Sequence, residues 1–265
     1  PNGHFHRKLA RLTFEEIGDA FLPFGYGQVC YGFHIALKFG IKLVFYGENG
    51  EAEYGGDPKN NYKSHMPLED WAELYFKGTT VDELVDFGLN HKDYFTRDDF
   101  EPGDLSFYRP PPVEALQMAG IQMHWYSYYH RWVPQENYYY AVENTNFEVN
   151  PEGRTDGTYT KYQSLDDKID GLHHYTWFIK TGRGRATEDA ALEVRNNIIT
   201  REEAIALVKQ YDGEFPRKYF KDILKYLSIE NEDDFFKIIN KFRSPHLWEM
   251  KNNKWNLRHA VWKHG

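Results

Sequence analysis

The sequence predicts an α/β fold: a parallel sheet with flanking helices, followed by a helical C-terminal region. Two apolar segments, residues 42–46 and 121–126, each come directly after a helical pattern. A helix that leads straight into an apolar strand is half of a parallel α/β unit. From residue 165 onward the apolar residues recur at helical spacing. The predicted sheet therefore lies in the N-terminal half of the chain.

Composition bounds the possible classes of protein. The 265 residues are enough for one large or two modest domains. A hydrophobic content of 41% with 17% aromatic residues supplies a core and argues against a disordered chain. The net charge of −8 argues against non-specific binding to nucleic acid or to an anionic membrane. No apolar run approaches the roughly 18 residues of a membrane span, and no signal peptide is found.

Cysteine usage limits the covalent and metal chemistry of this chain. Cys30 is the single cysteine, so neither an internal disulfide nor a cysteine zinc cluster can form here. A reducing, cytoplasmic location is compatible with that. Because the sequence opens at Pro1 without an initiator Met, we expect it to be part of a longer protein.

The first elements lead to a candidate ligand loop. We expect a helix over residues 9–21 closed by Pro23, a turn at 25–28, a helix over 29–39, and a buried strand over 42–46. Ligands of open α/β sheets bind beyond the carboxyl ends of the strands. The loop 47–57 lies there and carries three Glu and four Gly. It is predicted to hold a substrate or metal, the alternative being an acidic surface turn.

Residues 57–112 are predicted to be an insertion with a structural role. Residues 67–76 favour a helix, and the capping box Thr80–Glu83 starts another that ends near Gly88. Three consecutive prolines at 110–112 make a stiff connector.

The second strand is preceded by a short helix over 113–120 and followed by an aromatic segment that contains His130. His130 lies at the functional end of the predicted sheet, whereas His124 inside the strand is expected to pack in the core. Pro134 opens a helix through Asn144.

The stretch 150–189 has the highest density of groups that bind anions or divalent metals. We expect Ser164 to cap a helix that ends at Gly182, which places Asp166 and Asp167 in its first turn. A carboxylate pair near Lys and Arg suits Mg²⁺ with phosphate. The alternative, a solvated helix face with surface salt bridges, stays open.

Further helices are predicted over 200–212, 216–227 and 231–242, the first with the capping box Thr200–Glu203. The remaining tail is polar with scattered Trp residues, and the chain has no internal repeat.

Several ordered motifs together resemble one family. They are GENGEAEYGGDP (47–58), RPPPVEAL (109–116), PQENYYYAVENTNF (134–147), NPEGRTDGTYTKYQSLDDKIDG (150–171), GRATEDAALEVRNN (184–197), ITREEAIALVKQYDGEFP (199–216) and FRSPHLWE (242–249). This set is similar to the C-terminal two-thirds of the N-acetyl sugar amidotransferases, which act in bacterial surface-polysaccharide pathways such as those of O-antigen and of pseudaminic or legionaminic acid derivatives.

The resemblance implies a PP-loop ATP pyrophosphatase fold with a Rossmann-like parallel sheet. It divides the chain into residues 1–150, the remainder of the nucleotide-binding domain, and residues 151–265, the site-bearing segment with the helical region. The family's Ser-Gly-Gly-x-Asp-Ser loop and its zinc-binding cysteine pairs are not in this sequence. Both normally precede the point where this chain begins, so we expect an N-terminal portion to supply them, and we do not expect this chain alone to turn over ATP.

The implied reaction uses ATP and Mg²⁺ to activate the acetamido oxygen of an N-acetylated sugar or sugar nucleotide as an adenylylated imidate. Ammonia from a partner glutaminase with a cyclase-like subunit then displaces AMP. Exposed aromatic residues in the insertion, or Trp248, Trp255 and Trp262, are candidates for docking that partner, with ordinary packing as the alternative.

The resemblance implies functional roles for residues of this sequence, which we state as hypotheses. The expected catalytic residues are Lys161, Asp166 and Asp167, the two Asp also binding magnesium. The expected nucleotide contacts are Lys168, Arg154, Gly47, Glu48 and Asn49. The expected substrate contacts are Glu53, Arg183, Arg185, Gln28 and His130. Two other readings remain, another PP-loop ATPase such as a tRNA thiolase or a synthetase, and a non-catalytic scaffold subunit.

Overall fold

The computed structural model describes residues 2–47, 60, 62–65, 78–91 and 94–263. The chain divides into two units, the first made of residues 1–14 and 21–132 and the second of residues 15–20 and 133–265. The functional boundary expected near residue 150 stays a prediction.

The first two helices are α1 (Gly3–Ile17) and α2 (Leu22–Phe39). Pro23 does not close α1; it lies in the first turn of α2, where a missing backbone N–H leaves no hydrogen bond unmade. The predicted turn at 25–28 is helical as well. Tyr26 and Cys30 are fully buried on that helix, so packing overrides the low helix propensity of the neighbouring glycines.

The predicted parallel strands are present. Strand β1 (Leu43–Tyr46) pairs in parallel with β2 (Gln122–Trp125), with Leu43 opposite Gln122 and Tyr46 opposite Trp125. β1 is not buried as expected, since Leu43 and Phe45 are about half exposed. Within the described ranges the sheets are this pair and one antiparallel pair. The fold is therefore mixed and mainly helical, and the larger PP-loop sheet stays a proposal.

The first unit continues through α3 (Val81–Asn90), α4 (Val113–Ala119) and α5 (Tyr126–Tyr129). The capping box of α3 is confirmed, with the hydroxyl of Thr80 and the carboxylate of Glu83 each bonded to the other's backbone N–H. The helix predicted over 67–76 lies outside the described residues. His124 is only partly buried and bonds to Tyr129 and Gln122, because its strand has a solvent-facing side.

The second unit opens with α6 (Pro134–Asn144), as predicted, and continues with α7 (Asp170–Thr181). Ser164 does not cap α7. It has a left-handed φ of 56°, and the helix begins six residues later. Asp166 and Asp167 thus lie in a loop, outside the first turn. Gly182 ends α7 in the left-handed conformation, as predicted.

Four helices follow: α8 (Arg185–Arg195), α9 (Arg201–Tyr211), α10 (Phe220–Leu227) and α11 (Glu232–Lys241). The capping box at Thr200 is confirmed. The helix expected from Pro216 starts four residues later. The buried surface of α8 packs on α9 through Ala190, Ala204 and Val208.

The polar tail contains a hairpin that the sequence did not predict. Strands β3 (Trp248–Lys251) and β4 (Lys254–Leu257) pair antiparallel. Trp248 is buried, and its indole N–H donates to the carbonyl of Ile179 at 2.7 Å. Trp248 is therefore a core residue and does not form a docking surface. Among the described residues, no helix is long and apolar enough to cross a membrane.

Candidate functional site

A buried polar cluster lies where α7 and α8 meet, and its centre is Arg185. The Arg185 side chain is 15% exposed. One terminal nitrogen donates to Gln163 Oε1 at 2.6 Å and the other to His174 Nε2 at 3.2 Å. Its Nε lies 3.3 Å from Asp189 Oδ1. The guanidinium thus joins both helices to the loop that precedes α7.

The start of α8 holds Arg185 in place. The backbone N–H of Gly184 donates to Asp212 Oδ2 at 2.9 Å. A Cβ on residue 184 would lie 2.7 Å from the other carboxylate oxygen, so this approach requires glycine. Asp212 follows α9 directly, and the end of one helix thereby fixes the beginning of another.

His174 is neutral and carries its proton on Nδ1. Burial lowers its pKa to about 4, and this outweighs the opposing effect of Asp170, whose Oδ1 lies 3.5 Å from Nε2. An arginine can only donate, so the contact from Arg185 requires Nε2 to be the acceptor. The remaining ring N–H is therefore at Nδ1.

Two carboxylates of α8 are also buried in this cluster. Burial raises the pKa of Glu188 to about 7, although Arg185 opposes the shift. The pKa of Asp189 is raised as well, again chiefly by burial. Asp189 accepts a hydrogen bond from the buried hydroxyl of Thr158 at 2.7 Å. Each carboxyl is stabilised toward its neutral form because burial penalises charge.

His174 and Glu188 face each other without bonding. His174 Nδ1 and Glu188 Oε2 are 3.8 Å apart, longer than a hydrogen bond. Neither atom has a hydrogen-bond partner within the part of the chain that the structure describes, and both atoms are buried. Glu188 Oε2 also lies 3.9 Å from Nη1 of Arg185, so the guanidinium forms an ion pair with it without a hydrogen bond.

A second histidine, His173, borders the cluster. Its Nδ1 lies 2.9 Å from Asp19 Oδ1, and the Asp19 side chain is almost fully buried. The pair anchors the start of α7 to the segment after α1.

Arg154, an expected nucleotide contact, forms an ion pair with Glu214, and its contact with a nucleotide stays a prediction. Its guanidinium makes two bonds to the carboxylate of Glu214 and lies over the Tyr211 ring at 4.6 Å. The same carboxylate accepts the Gly157 N–H at 2.9 Å. The guanidinium is thus occupied in closing the loop 154–157.

The two lysines predicted to contact phosphate, Lys161 and Lys168, differ in their surroundings. Lys168 pairs with Asp222 at 2.7 Å on the surface. The exposed Lys161 has its ammonium 5.6 Å from the centre of the Tyr138 ring. Of the two, Lys161 is the better placed to meet an anionic ligand.

Asp166 and Asp167 do not form a built metal site. Asp166 is exposed, and Asp167 Oδ1 accepts the backbone N–H of Ile169. Over the described ranges, no three His, Cys, Asp or Glu side chains are grouped to hold a metal ion. A magnesium site here stays a prediction, for an ion that arrives with nucleotide phosphates.

The other predicted residues are dispersed. Arg183 is exposed beside the cluster. Gly47, Gln28 and His130 lie in the first unit and are exposed; the carbonyl of Gln28 accepts from Tyr46, and His130 stacks on Tyr126. Glu48, Asn49 and Glu53 lie outside the described residues. Among the expected substrate contacts that the structure describes, Arg185 is the one grouped with other buried polar side chains.

The sequence reasoning missed His174, Glu188 and Gln163 as members of one site. A signal was present, because Asp170 and His174 are spaced i, i+4, as are Arg185 and Asp189. That spacing places each pair on one helix face. Only the fold shows that the two faces meet.

Residues 156–261 match the family described as LPS biosynthesis protein WbpG-like, C-terminal domain. The matched region contains the whole Arg185 cluster except Asp19. The match confirms the resemblance to surface-polysaccharide biosynthesis proteins over this part of the chain. No curated protein matches the chain.

Proposed function

We propose that this chain belongs to an enzyme of lipopolysaccharide or related surface-polysaccharide biosynthesis that converts the acetamido group of a sugar into an acetamidino group. The observation that carries the proposal is the match of residues 156–261 to the WbpG-like domain. The motifs shared with N-acetyl sugar amidotransferases support the finer reading of the reaction.

The proposed reaction has two steps. The acetamido oxygen attacks the α-phosphorus of ATP, and pyrophosphate leaves. Ammonia then attacks the imidate carbon and loses a proton, and AMP departs with the former amide oxygen. The protein's contribution to such a reaction is to position reactants and to stabilise charge.

The structure supports a division of roles among the predicted residues. Lys161 and Arg183 are exposed and are proposed to contact phosphates of the nucleotide or sugar carrier. Arg185 is surrounded by side chains of its own chain and is proposed to position Gln163, His174 and Asp189. Its predicted contact with a sugar diphosphate is therefore not retained.

ATP binding is proposed to involve a larger parallel sheet in the complete protein. The parallel pair of β1 and β2 would be two neighbouring strands of that sheet. Parallel sheets are normally covered on both faces, and the half exposure of Leu43 and Phe45 fits a sheet face that a further segment would cover. A cytoplasmic location and an ammonia-supplying partner are part of the same proposal.

Mass spectrometry tests the reaction. The complete gene product is incubated with ATP, ammonium and candidate N-acetylated sugar nucleotides. The expected result is a sugar in which one oxygen is replaced by NH, with AMP released, only when ATP and ammonium are both present. AMP without sugar modification would point to another PP-loop ATPase. Neither product, with the partner subunit supplied, would favour a scaffold.

Two alanine variants, one at Lys161 and one at a control lysine, test the proposed contact with phosphate. Lys161→Ala is expected to raise the KM for the nucleotide roughly tenfold, because one charge-assisted contact is lost. Lys237→Ala is the matched control, since Lys237 lies on α11 and pairs with Asp234 on the surface. Full activity of Lys161→Ala would remove Lys161 from the proposal.

A further inference from the structure

Exposed aromatic side chains lie at the carboxyl ends of β1 and β2. Phe45 is near the end of β1, and Tyr126 and Tyr129 follow β2 on α5. All three are about half exposed. The ring centre of Phe45 lies 6.4 Å from that of Tyr126 and 5.9 Å from that of Tyr129. Ligands of open α/β sheets bind at this end of the strands, and the three rings form an aromatic wall that a ligand reaches from solvent.

A chain of hydrogen bonds begins at one of these tyrosines. The hydroxyl of Tyr129 lies 2.5 Å from Nδ1 of His124, and Nε2 of the same ring lies 3.1 Å from Oε1 of Gln122. An amide oxygen can only accept, so Nε2 carries the proton of the neutral ring. Nδ1 therefore accepts from the hydroxyl of Tyr129, and the tautomer of His124 turns a base toward that O–H.

His124 is neutral near pH 7 and is able to take up a proton. Burial lowers its pKa, and the neighbouring His65 lowers it further. The two histidines pair across an antiparallel bridge, with ring centres 6.0 Å apart. Within the described ranges, the side chains that face the ring are those of Gln122, Tyr129, Phe45 and His65, and none of these is a carboxylate that would hold a proton on it.

The order hydroxyl, base and orienting group is the one that enzymes use to activate a hydroxyl. When Tyr129 takes a proton at its oxygen from a ligand, it passes its own proton to Nδ1 of His124. The ring becomes an imidazolium whose Nε2–H still donates to Gln122. One proton arrives at Tyr129 and one leaves it, so the phenol stays neutral and the positive charge lies on the imidazole.

We propose that Tyr129 is an acid–base residue for a small molecule bound against Phe45 and Tyr126, with His124 and Gln122 positioned behind it as proton acceptor and orienting group. Aromatic walls with a few placed polar groups are typical of small-molecule sites. The use of the proton rests on the proposed function: the nitrogen that adds to the imidate carbon loses a proton, and Tyr129 accepts it.

Acetylation of tyrosine tests the activated hydroxyl without any need for turnover. The complete gene product is treated with p-nitrophenyl acetate, and acetylated tyrosines are located by peptide mass spectrometry. The oxygen of Tyr129 attacks the ester carbonyl, its proton goes to His124, and p-nitrophenolate leaves. Tyr129 should react roughly a hundredfold faster than Tyr128, which is equally exposed. A ratio below about tenfold would overturn the proposal.

Variants of the two residues behind Tyr129 test the cause of that reactivity. His124→Gln is expected to slow acetylation of Tyr129 to the rate of Tyr128, because the amide does not take up the proton. His91→Gln, at an exposed histidine after α3, is the matched control. Undiminished reactivity of Tyr129 in His124→Gln would sink the proposal. If that variant does not fold, Gln122→Leu carries the test, since this exposed residue orients the ring and its loss should also slow the reaction.

Turnover separates this inference from the proposed function. Tyr129→Phe is expected to lower kcat for amidination roughly a hundred- to ten-thousandfold with little change in the KM for ATP. Tyr128→Phe, which removes a hydroxyl from the adjacent ring, should retain kcat. Added imidazole should restore part of the kcat of His124→Ala, which a purely structural defect would not allow. An unchanged kcat in Tyr129→Phe would overturn the inference even if amidination is found. Fast acetylation of Tyr129 without amidination would retain the acid–base residue and remove the proposed reaction.

Discussion

Asp212 caps the first turn of α8 through Thr187, which lies 25 residues earlier in the sequence. Its Oδ2 accepts the Thr187 hydroxyl at 2.6 Å, and its Oδ1 accepts the Thr187 backbone N–H at 3.2 Å. With the bond from Gly184, the carboxylate satisfies N–H groups that the first turn of α8 cannot satisfy internally. Burial, the largest influence, raises the pKa of Asp212, and these hydrogen bonds oppose the shift.

Replacing Asp212 is expected to loosen the start of α8. Asp212→Ala should lower the free energy of unfolding by about 1–3 kcal/mol, since it removes a cap and leaves buried donors unpaired. Urea denaturation measures this change. Asp233→Ala, an exposed residue in the first turn of α11, is the control and should change stability by less than about 1 kcal/mol. Equal effects of the two variants would contradict the capping role.

Substitution of Arg154 tests whether this residue stabilises the fold or binds a nucleotide. Its two bonds to Glu214 and its position over Tyr211 need a planar guanidinium. Arg154→Lys is therefore expected to lower the melting temperature, with a loss of about 1 kcal/mol, and Glu214→Gln should do the same. The double variant should lose less than the sum of the two single variants.

If Arg154 instead binds nucleotide, Arg154→Lys would weaken nucleotide binding with little loss of stability. Thermal denaturation and nucleotide titration of the same preparations separate these outcomes.

Much of the fold could be predicted from local patterns in the sequence. The parallel pairing of β1 and β2 followed from an apolar strand after each helix, and it is observed. The capping boxes at Thr80 and Thr200 start helices as predicted, because both reciprocal bonds form within four residues. The capping boxes depend only on neighbouring residues, whereas the strand pairing was predicted from the general rule for helix–strand units.

Features that depend on distant contacts were missed. Ser164 resembles a helix cap, but it has a left-handed φ and its carbonyl accepts from Thr155, so α7 starts later. The contact between Arg154 and Glu214 joins residues 60 positions apart, and no local pattern predicts it. The approach of His174 to Glu188 likewise requires two helices to meet. No spacing rule in one sequence specifies such a contact.

Gly213 is expected to tolerate no side chain. Its φ is +77°, and an added Cβ would lie 2.2 Å from a ring carbon of Phe178. Phe178 in turn packs against Trp248 with ring centres 5.4 Å apart, so the ring has little freedom to move. Gly213→Ala should destabilise the fold by about 2–4 kcal/mol from strain and overpacking together.

The control for this substitution is Gly153→Ala. Gly153 has a φ of +97° with nothing within 4 Å of the added Cβ, so only backbone strain remains, about 1–2 kcal/mol. Chemical denaturation of both variants gives the comparison. A loss at Gly213 no larger than the loss at Gly153 would show that Phe178 can move aside.

His174 and Glu188 should give the stability of the protein opposite dependences on pH. The pKa of His174 falls from 6.5 to about 4 on folding, so the unfolded chain binds more protons and His174 favours folding more as pH rises from about 4 to 6.5. The pKa of Glu188 rises from 4.5 to about 7, so the folded chain binds more protons and stability falls as pH rises over that interval.

Single variants separate the two contributions. Between about pH 4.5 and 7, wild type should lose roughly 3 kcal/mol relative to Glu188→Gln, because each pKa unit corresponds to about 1.4 kcal/mol. Relative to His174→Asn, wild type should gain a similar amount between about pH 4 and 6.5. Urea denaturation at half-unit steps of pH measures both differences. The two curves must slope in opposite directions, and if either is flat, that group has the same pKa in the folded and unfolded chain and is not buried as the structure places it.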